Sequence, residues 1–532
     1  MTAGGAAALF AAKWAPVAAG LAVLGVAVAT LTPQPAGVFW DDGVYLISAR
    51  SLATGDGYRF AHLPAAPAAV HFPPAWPALL AAVWAMSPEF PANLTWFRLL
   101  NPALAAVGAA LATAYGVRVL GLNSAVAAIT AVAFALMLPV LVLVGVLFAE
   151  PLFLCALIGA LIATARAARR GEWQAAALAG AAAGVAVLVR STGLVLVPAV
   201  VGALLLAPGD DRRRKAIAAV AALVAALAVI APWQLWVSAH ARDLAAPLQG
   251  SYGPYLPWLW AAVKERGAPF VAEIAGHNIA SLERTMAVVF FPVGLREVRP
   301  LLVALLAVVG VLGAIGVWRR APALVLFLLG YGVLVLVWPY APDRFAWGVW
   351  PLVGLVLAAG ASEAWRLARR TRAATAERMS AGLLVAVTVL AVSGGAFYTA
   401  RGISRGWADI AQRRNAARMA PVVDWVRANT PVGAVVASDG EPLVHLYTRR
   451  TVVPVHVLSP DEYLAGTPLQ VAADELRRLL ETGGADFAVL SGGSAEIGAA
   501  ALLRDGPAYP RLSPIDTLPG GGVAYRVVLS KR

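Results

Sequence analysis

Cysteine is almost absent from this chain of 532 residues. The single one, Cys155, lies inside an apolar stretch, which excludes an intrachain disulfide framework and a Cys-rich zinc site. Charge is scarce as well: charged residues make up 13% of the chain, where a soluble domain carries about a quarter, while hydrophobic residues make up 60%. This excludes an ordinary soluble enzyme, and so much apolar surface also excludes a disordered chain. Acidic residues are outnumbered by Lys and Arg, 29 against 42, for a net charge of +13. The basic residues fall in short runs between apolar stretches, as the cytoplasmic loops of membrane proteins do, so nucleic acid is not the expected partner. No A-x-A-like cleavage site follows the first apolar run, which therefore reads as a retained anchor. No repeat with a fixed period of about 20–50 residues is present.

What is present is a series of apolar runs near the roughly 20 residues that a spanning helix needs. They lie at 15–32, 98–118, 124–141, 151–166, 174–189, 194–207, 216–232, 300–317, 322–338, 345–361 and 380–397. The spacing predicts an α-helical polytopic membrane protein with about 11 spans. Arg118, the group Arg166, Arg169 and Arg170, the run Arg212 to Lys215, the pair Arg319 and Arg320, and the stretch from Arg366 to Arg378 all fall on one side of that alternation. By the positive-inside rule this side is cytoplasmic, with the N-terminus inside and the C-terminus outside, in a bacterial-type plasma (inner) membrane. Residues 1–400 form the membrane domain, with outer loops at 33–95 and 233–299. From 405 to 532 charges and turn residues return. Short apolar runs at 434–437, 452–455 and 487–490 read as strands, alternating with helices at 417–428, 442–447 and 468–481, which predicts a small extracytoplasmic α/β domain.

Polar residues beside apolar spans need a reason. On the outer side lie Asp41, Asp42, His62, His71, Glu150, Arg190, Asp343 and Arg344. Asp41 and Asp42 open a helix and can cap its first turn. One carboxylate can do so while its neighbour, rotated by about 100° on the helix, faces a cavity as a general base. His71 precedes Phe72-Pro73-Pro74-Ala75-Trp76-Pro77 and a run too short to span, which predicts an interfacial helix with Trp76 and Trp84 at headgroup depth. His71 is then a surface histidine or a substrate ligand. Glu150 either begins the fourth span or supplies a further acid, able to position an acceptor hydroxyl or hold a divalent metal ion. Arg190 and Arg344 either snorkel to headgroups or grip a lipid phosphate through paired hydrogen bonds.

Trp40-Asp41-Asp42-Gly43-Val44-Tyr45-Leu46 followed by Phe72-Pro73-Pro74-Ala75-Trp76-Pro77 resembles the polyprenyl-phosphate-dependent glycosyltransferases of the GT-C superfamily. The similar branches are the protein O-mannosyltransferase, aminoarabinose transferase and rhizobial lipopolysaccharide transferase ones. Glu150-Pro151-Leu152-Phe153-Leu154 resembles the acidic start of that family's fourth helix. Arg190-Ser191-Thr192-Gly193 resembles its Arg-x-x-Gly turn, and Asp343-Arg344-Phe345 with Pro351 its late Arg-Tyr-x-x-Pro segment. Trp425-Val426-Arg427-Ala428-Asn429-Thr430-Pro431 looks like the start of the soluble domain. The pair is Asp-Asp where Asp-Glu is common, Phe345 stands where Tyr is usual, and no WWDYG-like segment points to oligosaccharyltransferase.

The resemblance implies a GT-C-like fold and an inverting sugar transfer from a polyprenyl-phosphate donor to an extracytoplasmic glycan, lipid or protein acceptor. It implies Asp41 as the base, with Asp42 and Glu150 beside it in the catalytic set. Arg190 and Arg344 would hold the donor phosphate, and His71, Tyr45 and Asp343 would line the substrate site. Tyr252, Tyr255, Trp258 and Trp260, in the outer loop with His277 and Arg284, could close the donor groove. These residues are expected to converge on one outer pocket. Two other classes stay open: a multi-span lipid or solute transporter or flippase, and a non-catalytic envelope-assembly protein.

Overall fold

The computed structural model describes residues 3–292, 294–369, 374–407, 410–460, 462–466, 468–491, 498–499, 502 and 510–529, with side chains from Lys13 onward in the first helix. Arg370 and Arg372, in the basic stretch after the tenth apolar run, lie outside the described residues.

Every one of the eleven apolar runs falls on a helix or on a bent pair of helices. Among the described residues, five of these helices are long and apolar enough to cross a membrane: Leu94–Leu120, Glu150–Arg170, Arg212–Asp243, Arg299–Val317 and Thr375–Ser404. A sixth is added if Ser124–Ala135 and Leu138–Gly145, bent by 63° at their junction, form one span. Lys13–Ala29, Trp173–Val189, Ser191–Leu205 and Pro322–Val337 are apolar but shorter.

The chain folds into two compact units, each assembled from three segments. The first comprises Met1–Leu31, Arg98–Pro232 and Ile274–Trp407. With lipid outside, its helices gain little from hydrophobic exclusion and associate through close packing of small residues. A Cβ added at Gly313 would lie 1.9 Å from the Val356 carbonyl oxygen, and one at Gly360 would lie 2.0 Å from that of Val309. Helices Arg299–Val317 and Trp350–Ala368 therefore meet backbone to backbone. A buried aromatic group completes this unit: Phe290 stacks on Trp350 at 5.4 Å, and Phe134 packs beside both.

The second unit comprises Thr32–Phe97, Trp233–Glu273 and Ala408–Arg532, so the region expected as a separate C-terminal domain clusters with most of both outer loops. Its sheet holds β1 (Val435–Ser438), β2 (Thr451–Pro454), β3 (Phe487–Leu490), β4 (Arg511–Thr517) and β5 (Val523–Val528), in the order β2-β1-β3-β5-β4. The first three strands are parallel and the last two antiparallel. Helix Leu469–Gly483 turns Ala472, Ala473, Leu476, Leu479 and Leu480 inward, the spacing of one helical face, and stops at Gly484 with φ +64°. In the Thr32–Phe97 segment, helix Asp41–Ala53 packs on helix Ala75–Met86. Trp76 and Trp84 are buried here, with the Trp84 indole donating to the Leu46 carbonyl. The adjoining helix offers both an apolar face and an acceptor.

Candidate active site

In the first unit the structure brings three of the predicted residues together. Glu150 opens helix Glu150–Arg170 and is buried; Arg190 ends helix Trp173–Val189; Arg344 sits in the first turn of helix Asp343–Gly348. Arg190 Nη1 and Arg344 Nε both lie 2.7 Å from the same oxygen, Glu150 Oε1. The Arg344 guanidinium also sits 3.7 Å from the centre of the Phe148 ring, and that of Arg190 lies 5.7 Å from Phe345. Two cations on one carboxylate leave a formal net charge of +1 facing aromatic surface, where a charge is screened less than in water. Gly348 packs closely here: a Cβ on it would lie 3.2 Å from Glu150 Cγ. Asp343 does not join the triad through its Oδ1, which accepts from Thr285 Oγ1 at 2.6 Å.

In the second unit lies the acidic pair. Asp42 is buried, and its two oxygens accept the amides of Gly37 at 2.6 Å and Phe39 at 3.0 Å. Burial pushes its carboxyl up to about 6; the backbone hydrogen bonds oppose that rise and the Asp41 charge adds to it. Asp42 thus ties the loop in front of its helix. Asp41 is half-buried. Between Phe39 and Asp41 the chain makes a γ-turn, with the Asp41 amide donating to the Phe39 carbonyl at 2.8 Å around Trp40 at φ +68°, ψ −66°.

His71 is buried and its Nδ1 lies 2.7 Å from the Gly253 carbonyl, so Nδ1 carries the proton and donates. Burial lowers the imidazole to about 4, against the raising effects of that hydrogen bond and of the Asp41 charge. His71 is therefore neutral at pH 7, in an aromatic enclosure with Trp40, Phe72 and Tyr255. Tyr45 is buried with its ring 4.6 Å from Phe72.

One residue of this site carried no signal in the sequence. Glu441, the first residue of helix Glu441–Thr448, is buried, and its Oε1 accepts from the Trp40 indole at 2.5 Å and from the Tyr252 hydroxyl at 2.7 Å. Tyr252 oxygen lies 2.8 Å from His62 Nε2, which donates to it. Burial raises the Glu441 carboxyl and lowers the His62 imidazole. A strand-to-helix turn in an α/β region gave no reason to look for a partner of Trp40, about 400 residues earlier.

For a metal, the one set of three ligating side chains close together among the described residues is His456, Glu462 and Glu475. His456 Nδ1 faces Glu475 at 3.1 Å and Nε2 faces Glu462 at 2.9 Å. A single ion reaches only one ring nitrogen, so the set fits a protonated imidazole clamped between carboxylates. Its hydrogen bonds to Glu462 and then Glu475 raise it to about 10. Glu150, already holding two guanidiniums, is a poor ligand for a dication.

Comparison with known proteins bears on these arrangements. The family model for dolichyl-phosphate-mannose-protein mannosyltransferases matches residues 73–236. Among solved structures, ArnT from Cupriavidus metallidurans bound to undecaprenyl phosphate is similar with a TM-score of 0.54 and 16% identity, covering 97% of this chain and 98% of that one. The same enzyme in the apo state gives a TM-score of 0.52 at 15% identity, covering 99% and 98%. The chain has the fold of these structures, and over residues 73–236 it is similar to the mannosyltransferase family. At 16% identity the structural likeness carries the fold alone, and the mannosyltransferase model covers less than a third of the chain. No curated protein matches the chain. The fold and its apolar helices make this an integral membrane protein.

Proposed function

We propose that this chain is a GT-C glycosyltransferase that moves a sugar from a polyprenyl-phosphate donor to a hydroxyl of an envelope glycan, lipid or protein on the outer side of a bacterial inner membrane, with its N-terminus in the cytoplasm. The observation that carries the reading is the seating of Arg190 and Arg344 on one oxygen of Glu150 at the start of a membrane span. A cationic cluster held in fixed orientation beside lipid suits a lipid phosphate, which guanidiniums grip in paired fashion. The similarity to a protein bound to undecaprenyl phosphate supports the same donor class. Outside the cytoplasm nucleotide sugars are absent, so the activated sugar has to arrive on a lipid.

Each group then has one task. Asp41 takes the proton from the acceptor hydroxyl as its oxygen attacks the anomeric carbon. The bond from that carbon to the phosphate oxygen breaks with inversion, and the charge growing on the departing polyprenyl phosphate is met by Arg190 and Arg344. Asp42 holds the loop that carries Asp41, Glu150 fixes the two guanidiniums, and neutral His71 with Tyr45 lines the sugar side without competing for the phosphate.

Binding of undecaprenyl phosphate to the purified enzyme in nanodiscs tests the donor half. Arg344→Ala and Arg190→Ala should each weaken it about tenfold or more, as loss of a charge-assisted pair does, and Asp41→Asn should leave it within about twofold. Equal affinity for all variants would remove the phosphate role of the cluster.

A further inference from the structure

The γ-turn in front of Asp41 belongs to the strained kind, with positive φ at its centre, and the residue there is a bulky tryptophan. Such a conformation persists only where the surroundings over-determine it. Glycine 37 and glycine 43 show how closely the surroundings approach. A Cβ on Gly37 would meet the Leu443 backbone at 3.0 Å, and one on Gly43 would meet Pro442 at 2.6 Å. Helix Glu441–Thr448 is thus pressed against both ends of the acidic loop. Its first residue accepts from the Trp40 indole, and Tyr252 shares the same oxygen. His62 donates to Tyr252 from behind, and the His62 carbonyl in turn accepts the Val452 amide of β2.

We propose that Glu441 is a positioning residue for the acidic pair. Through the Trp40 indole it holds the γ-turn closed and fixes the direction in which Asp41 leaves the loop, so that the α/β region sets the geometry of the base. This rests on the assignment of Asp41 as base. The requirement is for a buried acceptor at one point and not for a negative charge: glutamine keeps an oxygen at that position, whereas alanine leaves the indole N–H and the Tyr252 hydroxyl without it.

Hydrogen exchange of the full-length enzyme in nanodiscs, read on peptides covering residues 36–46, tests the proposal without any substrate. Glu441→Ala should speed exchange there about tenfold or more, because the amides of Gly37, Phe39 and Asp41 lose their closed loop. Glu441→Gln should stay within about threefold of wild type. Trp40→Phe, which deletes the indole N–H and leaves Glu441 in place, should reproduce the alanine effect, and the double variant should add nothing further. The same series, assayed for release of undecaprenyl phosphate from radiolabelled undecaprenyl-phosphate sugars, should show kcat reduced about tenfold or more for Glu441→Ala and Trp40→Phe, KM for the donor within about twofold, and near-wild-type values for Glu441→Gln. Unchanged exchange at 36–46 in Glu441→Ala, or faster exchange spread over the whole sheet, overturns the proposal, as does failure of glutamine to rescue. If Asp41→Asn keeps full turnover, the assignment of the base falls, while the exchange result still decides whether Glu441 holds the loop.

Discussion

The protein handles charge in two different ways in its two units. In the first, Arg190 and Arg344 both pair with one carboxylate oxygen of Glu150. In the second, Asp42, Glu441, Tyr252, His62 and His71 are buried in a network where hydrogen bonds substitute for counter-ions and burial pushes acids up and imidazoles down. An ion cluster concentrates its energy in a few contacts and fails when one partner goes. A neutral network spreads its energy, and it responds to protons instead. The contrast fits the tasks proposed for each: a permanent cation site for a phosphate, and a rigid, low-charge cradle for one carboxylate.

The largest effect should come from breaking the ion cluster. Glu150→Ala leaves two guanidiniums without their shared anion, and thermal or denaturant unfolding should show a loss of about 3–5 kcal/mol, with little change from salt. A loss near zero would mean that water already solvates the arginines.

Next is the acid response of the second unit. The His71 imidazole has an ordinary value near 6.5 and falls to about 4 in the fold. Its neutral form stabilises the fold fully above the unfolded value, and that contribution is lost as pH falls from about 6.5 through about 4, on the order of 3 kcal/mol. His62, also lowered by burial, acts in the same direction. Asp42 and Glu441 run opposite, since a carboxyl raised by burial destabilises the fold as pH rises, for Asp42 through about 6. Unfolding followed from pH 7 to pH 4 should therefore differ in slope between wild type and His71→Gln, with the variant losing less stability as pH falls. An unchanged slope in that variant would place the acid sensitivity elsewhere.

Gly360→Ala should cost about 1–3 kcal/mol by forcing apart two helices of the first unit, measured as a fall in Tm, and should leave the acid response untouched. Tyr252→Phe should cost least in unfolding, about 1 kcal/mol, because a distributed network loses one hydroxyl where the ion cluster would lose a charge. A Tyr252→Phe loss as large as that of Glu150→Ala would erase the contrast between the units.

The helices of the first unit were legible because lipid imposes one rule on them, a run of apolar residues, and the basic residues between runs mark the turns. Glu150, Arg190 and Arg344 were each legible as charges at the ends of such runs, but their pairing was not, since it joins the starts and ends of three separate helices. In the second unit β1, β2 and β3 were legible within about one residue as short apolar runs. Strands β4 and β5 were not. Arg511–Thr517 is an edge strand with Pro514 inside it and one inward residue, Leu512, so it has neither an apolar run nor clean alternation. Glu441 was illegible for a further reason: its function comes from a meeting of Trp40, Tyr252 and the β1 turn, and no local pattern encodes a contact between segments so far apart. The burial of Trp76 and Trp84 was not legible, because an aromatic beside an apolar helix is compatible with an exposed or a buried position, and the packing of helix Asp41–Ala53 decides between them.

The account turns on Asp41 as the group that accepts the proton. The direct test is single-turnover release of undecaprenyl phosphate from radiolabelled undecaprenyl-phosphate sugars with envelope extract as acceptor, comparing wild type with Asp41→Asn at saturating donor. Loss of about a hundredfold or more in the rate, with undecaprenyl phosphate still bound normally, is the predicted result. Turnover within a few-fold of wild type would contradict it.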